Sequence, residues 1–365
     1  MKININRKIL IEKLEQCLKF TARRTVNNNL LRGILIKGEG GMLDIYATNL
    51  SYFIHTVIEI DTKIEKFQAI VEPTDLIEYL SCTESEKVEI EVGNNTLKIS
   101  QEKSQGTFPL ISGEDFPLPP EVKDEGMAID VKGLKNNIPL LLLSASKDDS
   151  RPVLTSINFI VEGDKLTMVS TDGFRLSVVQ EKATRGIRSM LISADFLNSV
   201  LQMVKDKNPT VFYLHEERVV AFQIDKTTLY ARLIEGDFPP YEKAIPIDKK
   251  TTVSIDKESF LKSVKQMAVF VKKGGGIIII NIKKGTLEIS PKNTGKDVNY
   301  TVMEGVVDGE DQRVAFNYRF LVDLLTHLEG GRICIEMLRS DTPVLFRDES
   351  RKNFFHIIMP VRISE

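Results

Sequence analysis

The stretch Leu10-Ile11-Glu12-Lys13-Leu14-Glu15-Gln16-Cys17-Leu18 places Leu10, Leu14, Cys17 and Leu18 at i, i+4, i+7 and i+8, the stripe of an amphipathic helix. The same spacing returns 124 residues later at Leu134, Ile138, Leu141 and Leu142, and a further 126 residues on at Phe260, Val264, Met267 and Ala268. A second helical pattern follows each: Leu76, Ile77 and Leu80, then Phe196, Leu197, Val200 and Leu201, then Phe320, Leu321, Leu324 and Leu325, at intervals of 120 and 124 residues. Self-similarity at a fixed period marks a repeat architecture, so the chain reads as three copies of one unit.

Strand-like segments follow the first helix of each unit: Gly33 to Ile36 with Met42 to Ala47, Ser156 to Val161 with Leu166 to Ser170, and Ile277 to Ile282 with Leu287 to Ile289. Glycine-bearing or charged turns join them as hairpins. Gly38-Glu39-Gly40-Gly41 lacks the lysine and following helix of a phosphate loop and reads as one such turn. The first two units stay in register through the hairpin, with 17 steps both from Leu31 to Thr48 and from Leu154 to Thr171. Pro139 falls inside the second unit's helix, where it is expected to delay or kink it. The Lys272-Lys273-Gly274-Gly275-Gly276 lead-in sets the third unit apart. Breaks at Pro117 to Gly126 and Pro246 to Lys250 divide the chain into 1–122, 127–246 and 247–365. The expected fold is α+β, three repeated domains of helices packed on one face of antiparallel sheets.

The 365 residues exceed what one core of about 250 to 300 residues holds, and 42% hydrophobic with 27% charged residues supports a core in each domain. Cys17, Cys82 and Cys334 are far apart and odd in number, forming neither a disulfide framework nor a zinc site, which points to a reducing cytoplasm. No apolar run approaches the roughly 20 residues of a membrane helix, and Met1 opens into a polar stretch, so neither secretion nor membrane insertion is expected.

Net charge is −2, from 49 Lys+Arg against 51 Asp+Glu, which excludes a protein that coats nucleic acid by bulk positive charge. The charge is segregated, however. Segments 5–24, 131–147 and 256–273 carry net +4, +3 and +3, leaving −12 for the remainder. The positive charge therefore sits in the first helix of each unit and the turn after it. One such helix reads as a solvated lysine face; threefold recurrence turns the reading toward phosphate contact. The second helices are not basic, and 71–82 carries Glu72, Asp75 and Glu78 uncompensated.

Ser150-Arg151-Pro152-Val153-Leu154 and Leu166 through Thr171-Asp172-Gly173-Phe174-Arg175-Leu176 resemble the central signature of the bacterial sliding clamps, the beta subunits of DNA polymerase III. Arg232-Leu233-Ile234-Glu235-Gly236-Asp237-Phe238-Pro239-Pro240-Tyr241 through Pro246 is similar to the second signature of that family, and Ile358-Met359-Pro360-Val361-Arg362-Ile363 to its carboxyl-terminal tail. The resemblance spans the chain. It implies a head-to-tail homodimeric ring of six pseudo-equivalent domains, helices lining the hole, around double-stranded DNA without sequence preference. A helix about 30 Å long faces about 18 duplex phosphates, and two chains offer +10 each from their first helices. On this reading the DNA contacts are Arg7, Arg23, Arg24, Lys132, Lys147, Arg151, Lys265, Lys272 and Lys273, and Phe108 meets Val269 and Phe270 across the dimer junction.

The resemblance further implies a groove for short motifs of the replicative polymerase, the clamp loader and repair proteins. Its floor would be Leu154, Thr171, Gly173, Phe174, Arg175, Leu176, Pro239 and Ala244, with Lys243 at the rim. Asn317, Phe320, Val344, Ile358, Met359, Pro360, Val361 and Arg362 would close it. The apolar tail, uncovered, would be a liability, and packed along the third domain it becomes a wall of the pocket. Phe174, Lys243 and the glycines near Gly275 depart from the family's usual residues, and Ser364 and Glu365 extend its usual tail, pointing to an altered motif. Leu154, Leu176 and Val344 read equally well as core packing.

The competing reading is an enzyme. Asp148, Asp149 and Asp172 could form a metal cluster for phosphoryl transfer with Arg175 stabilising charge, but each sits where a turn residue is expected. His55, His215, His327 and His356 lack ligand spacing. The expectation is a non-catalytic accessory subunit with no cofactor and no metal. The alternative within the same fold is a divergent clamp paralogue or scaffold that does not serve the main replicase.

Overall fold

The computed structural model describes residues 2–22, 28–113, 115–123, 125–292 and 299–362. It comprises two compact units, Met1–Val131 with Gln202–Leu233, and Lys132–Leu201 with Ile234–Glu365.

In the first unit, strand Lys2–Asn6 leads directly into helix Arg7–Leu18, whose first turn is fixed by the Asn6 side chain accepting from the Ile9 amide at 3.2 Å. Leu10, Leu14 and Cys17 are buried as the stripe requires, while Leu18 is only half-buried. The second helix, Pro73–Ser81, starts on a proline, which costs nothing at a position whose amide has no helical partner. Lys2–Asn6 pairs with Lys87–Val92, then Thr96–Gln101, then Ser104–Pro109, in a four-stranded antiparallel sheet that ends on Ser104–Pro109.

The other sheet of this unit runs Ile34–Thr48, Tyr52–Val71, Thr227–Arg232, Val219–Ile224, Thr210–Leu214 and Met127–Ala128. Ile34–Thr48 has strand geometry throughout, but it is not straight. The Lys37 ammonium lies 5.6 Å from the centre of the Tyr46 ring, and Leu35 shares a core cluster with Tyr46. Nine residues of straight strand would hold Lys37 and Tyr46 about 30 Å apart. The chain doubles back at Gly38–Gly41, where Gly40 has φ +63° and a Cβ on Gly38 would strike the Phe67 ring at 2.0 Å. The hairpin expected there is present.

The second unit holds a nine-stranded antiparallel sheet in the order Met190–Ser193, Ser156–Glu162, Lys165–Thr171, Arg175–Lys182, Phe354–Ile358, Val344–Asp348, Arg332–Met337, Thr251–Asp256 and Val306–Gly309. A four-stranded sheet runs Thr301–Glu304, Thr286–Pro291, Ile277–Lys283 and Gln312–Asn317. Helix Lys257–Val271 is capped by Asp256, which accepts from the Ser259 amide at 2.8 Å, and buries Phe260, Val264, Met267 and Ala268. Helix Tyr318–His327 is capped by Asn317, accepting from the Arg319 amide at 3.1 Å, and buries Leu321, Leu324 and Leu325.

Helix Val131–Leu142 overturns the expected delay at Pro139, since it begins on time and continues three residues past the proline. Pro139 removes one amide donor, while Ile138, Leu140 and Leu141 remain buried. Their burial outweighs the lost hydrogen bond.

Candidate functional site

The turn between strands Lys165–Thr171 and Arg175–Lys182 is built by short polar side chains. Asp172 Oδ1 accepts from the amides of Phe174 and Arg175, both at 2.9 Å. Thr171 Oγ1 accepts from the Gly173 amide and donates to the Arg175 carbonyl. Gly173 has φ +90° with open space around it, so backbone conformation alone calls for glycine there. This turn pushes Phe174 outward, leaving it 61% exposed.

Strand Phe354–Ile358 runs antiparallel to Arg175–Lys182, from Arg175 opposite Ile358 to Val179 opposite Phe354. The tail then continues: the Met359 amide donates to the Phe174 carbonyl, and the Val361 amide to the Ala315 carbonyl, both at 2.8 Å. Arg175 locks the turn in place. Its Nε donates to Asp172 Oδ2 at 3.0 Å, its Nη1 to Asp323 Oδ2 at 2.9 Å, and its guanidinium lies 4.5 Å from the centre of the Phe320 ring. Beneath, Leu176 packs with Val169, Val178, Leu345 and Ile357, covered by Phe238, Tyr241, Ala244 and Ile245.

The residues expected at a groove thus divide. Phe174, Pro239, Lys243, Met359 and Arg362 are exposed, and Gly173 is exposed at the turn. Leu154, Thr171, Arg175, Ala244, Phe320, Pro360 and Val361 are half-buried. Half-buried Asn317 caps a helix. Leu176, Val344 and Ile358 are buried, the last two paired across the sheet, so they support the surface from below. A cavity of about 800 Å³ opens beside Phe174 and Arg175 and is also lined by Lys147, Arg151, Asp323 and His327. Sequence reasoning missed Asp323. Its signal was the i, i+3 spacing from Phe320, which puts both on one helical face.

The basic residues divide as well. Lys132, Lys147, Arg151, Lys265, Lys272 and Lys273 are exposed, Arg151 with Nε 3.0 Å from Asp148. Arg23 and Arg24 lie outside the described residues. Arg7 is half-buried, its Nη1 donating to the Leu80 carbonyl at 3.0 Å and its Nε to the Ser85 carbonyl at 2.9 Å. Lys257, the first residue of the third repeat's first helix, likewise donates from Nζ to the Leu328 carbonyl at 2.8 Å. In both repeats a cation at the start of the first helix binds a carbonyl near the end of the second helix, where the helix dipole favours it. These two charges are occupied internally.

Asp148 and Asp172 build turns with their side chains, and Asp149 is exposed in the turn beside Asp148. Asp148 accepts from the Ser150 amide and hydroxyl and from Arg151, and the Ser150 hydrogen bonds, more than the Arg151 one, hold its carboxyl below the usual range. Among the described residues no group of three or more His, Cys, Asp or Glu is placed to hold a metal ion. No described helix is long and apolar enough to cross a membrane.

Three consecutive stretches match family models: residues 1–120 the N-terminal domain, 128–240 the central domain and 242–362 the C-terminal domain of the DNA polymerase III beta subunit. The beta sliding clamp of Bacillus subtilis is 24% identical over 380 residues, covering 99% of this chain and 100% of the relative. That of Staphylococcus epidermidis is 23% identical, covering 99% of each. Among solved structures, the Thermotoga maritima DNA polymerase III beta subunit superposes with a TM-score of 0.91 at 22% identity over all of both chains. The Bacillus subtilis sliding clamp does so with 0.90 at 23%. Strand–helix–sheet units of one kind, three in a row, define a clamp-domain protein. The chain belongs to the DNA polymerase III beta subunit family, the bacterial sliding clamps.

Proposed function

We propose that two copies of this chain close head to tail into a ring around double-stranded DNA and tether the replicative polymerase and other DNA-processing proteins to it. The ring acts without catalysis or cofactor, in the cytoplasm, after a clamp loader has opened and closed it. Its domains are 1–122, 127–246 and 247–365.

The observation that carries this reading is a pair of unlike open edges. Strand Ser104–Pro109 ends one four-stranded sheet, with Phe108 half-buried against Tyr79. Strand Thr301–Glu304 ends another, with Tyr300 and Val302 exposed beside helix Lys257–Val271, on which Val269 is 63% and Phe270 54% exposed. Open edges and exposed apolar side chains are normally covered. Two unlike patches on one chain form heterologous contacts, and such contacts generate rings when the rotation closes. The exposed Lys132, Lys147, Arg151, Lys265, Lys272 and Lys273 would meet phosphates weakly and without sequence preference. Exposed Phe174 and Met359, above the Leu176 cluster, would take the apolar anchors of partner peptides.

Loading onto nicked circular DNA by a clamp loader, followed by gel filtration, tests enclosure. The protein should remain with the circles at salt that strips ordinary phosphate binders, and leave once the DNA is linearised. Equal loss from circles and linear DNA would refute enclosure.

A further inference from the structure

We propose that Lys13 is a site of covalent acylation by acyl phosphates. It lines a cavity of about 340 Å³ with Gln16, Met203 and Thr227, two further amines, Lys205 and Lys207, and three carboxylates, Glu12, Asp206 and Asp225. It donates to Thr227 Oγ1 at 3.0 Å and, longer, to Gln16 Oε1 at 3.4 Å, both neutral acceptors. Among the described residues no carboxylate forms an ion pair with it, whereas Lys205 and Lys207 in the same cavity hold Glu12 at 3.6 Å and Asp225 at 2.6 Å.

Lys13 is therefore the amine of this cavity with the least to keep it protonated. Burial holds its pKa below the ordinary lysine value, with Lys205 adding to the effect and Glu12, Cys17 and Asp225 opposing it. Desolvation beside other cations is how a lysine becomes a nucleophile near neutral pH. Lys205 and Lys207 each have ammonium donors to spare after one carboxylate contact. Those spare donors can hydrogen-bond a small reagent carrying a phosphate.

In the reaction the neutral Lys13 amine attacks the acyl carbonyl carbon. A C–N bond forms, the C–O bond to phosphate breaks, and phosphate leaves with the electron pair. The extra amine proton passes to phosphate or water. The product is an amide, and one positive charge is lost from the first helix.

Full-length protein is treated with acetyl phosphate or with uncharged N-acetoxysuccinimide, and initial rates at each lysine are followed by peptide mass mapping. With acetyl phosphate, Lys13 should react about fivefold or more faster than Lys8, which is exposed on the same helix. That preference should shrink with the uncharged reagent and in Lys205→Gln, whose exposed side chain can be replaced without disturbing the core. Lys13 reacting no faster than Lys8 overturns the proposal. So does first labelling at Lys205 or Lys207, or a preference that is the same with both reagents.

Discussion

His356 is fully buried, with Nδ1 2.9 Å from Ser177 Oγ, itself 2.9 Å from Ser144 Oγ; Nε2 has no hydrogen-bond partner among the described residues. Burial, with Arg175 adding to it, pushes its pKa down to about 3. The unfolded chain therefore binds this proton from about pH 6.5 downward while the folded chain refuses it. Stability is fully present above pH 6.5 and is lost as pH falls toward 3, by up to about 1.4 kcal/mol per unit. Urea unfolding at pH 7, 5.5 and 4.5 should show this slope in the wild type and a flatter one in His356→Gln, though the variant is less stable at pH 7. Identical slopes would mean that the proton is not excluded. Arg175 carries the functional counterpart. Arg175→Ala frees the Phe174 turn from Asp323 and Phe320, so a peptide ending in Leu-Phe, bound at micromolar strength, should weaken about tenfold, or 1.4 kcal/mol. Fluorescence anisotropy measures this, and unchanged affinity would remove Arg175 from the groove.

At the scale of elements, the cross-braces from Arg7 to Leu80 and from Lys257 to Leu328 tie the first helix to the second in two of the three units. Each joins a charged donor to a carbonyl, so Arg7→Ala or Lys257→Ala should cost about 1.5 to 3 kcal/mol. Neither should change DNA affinity, whereas Lys265→Ala is expected to lower it. A salt titration of DNA binding beside a denaturation curve separates the two roles; loss of DNA binding without loss of stability would reverse the assignment. These braces mark what was legible in the sequence and what was not. Apolar spacing revealed the two long helices of each repeat, because the stripe that must be buried is written at 3.6-residue intervals, but not the short helix Asn29–Arg32, which has no room for a stripe. Counting lysines and arginines located the basic segments, but it could not tell a charge facing solvent, such as Lys265, from one folded back on a carbonyl, such as Arg7. That distinction depends on which distant backbone atom is within reach. The same limit hid Asp323, 148 residues from the arginine it holds. The helix start is not delayed by Pro139, because burial of Ile138, Leu140 and Leu141 decides it rather than the local rule.

For the molecule as a whole, assembly is the property most exposed to test. Phe270→Asp puts a charge on an exposed apolar patch that no described core residue needs, so the fold should survive while association fails. Sedimentation of the wild type at micromolar concentration should give twice 41.2 kDa, and the variant 41.2 kDa. A wild type that stays monomeric at tens of micromolar would end the ring model. The nine-stranded sheet has a different consequence, one of timing. Strand Phe354–Ile358 lies between Arg175–Lys182 and Val344–Asp348 and, among the described residues, is the strand that pairs with both the four strands formed from 156–193 and the four from 251–348. During synthesis the first group leaves the ribosome well before the strand that unites them, with the edge of Arg175–Lys182 bare and waiting. The interval in which that edge is open to a neighbouring nascent chain is set by translation speed, so slow codons before Phe354 should raise aggregation without altering a single residue.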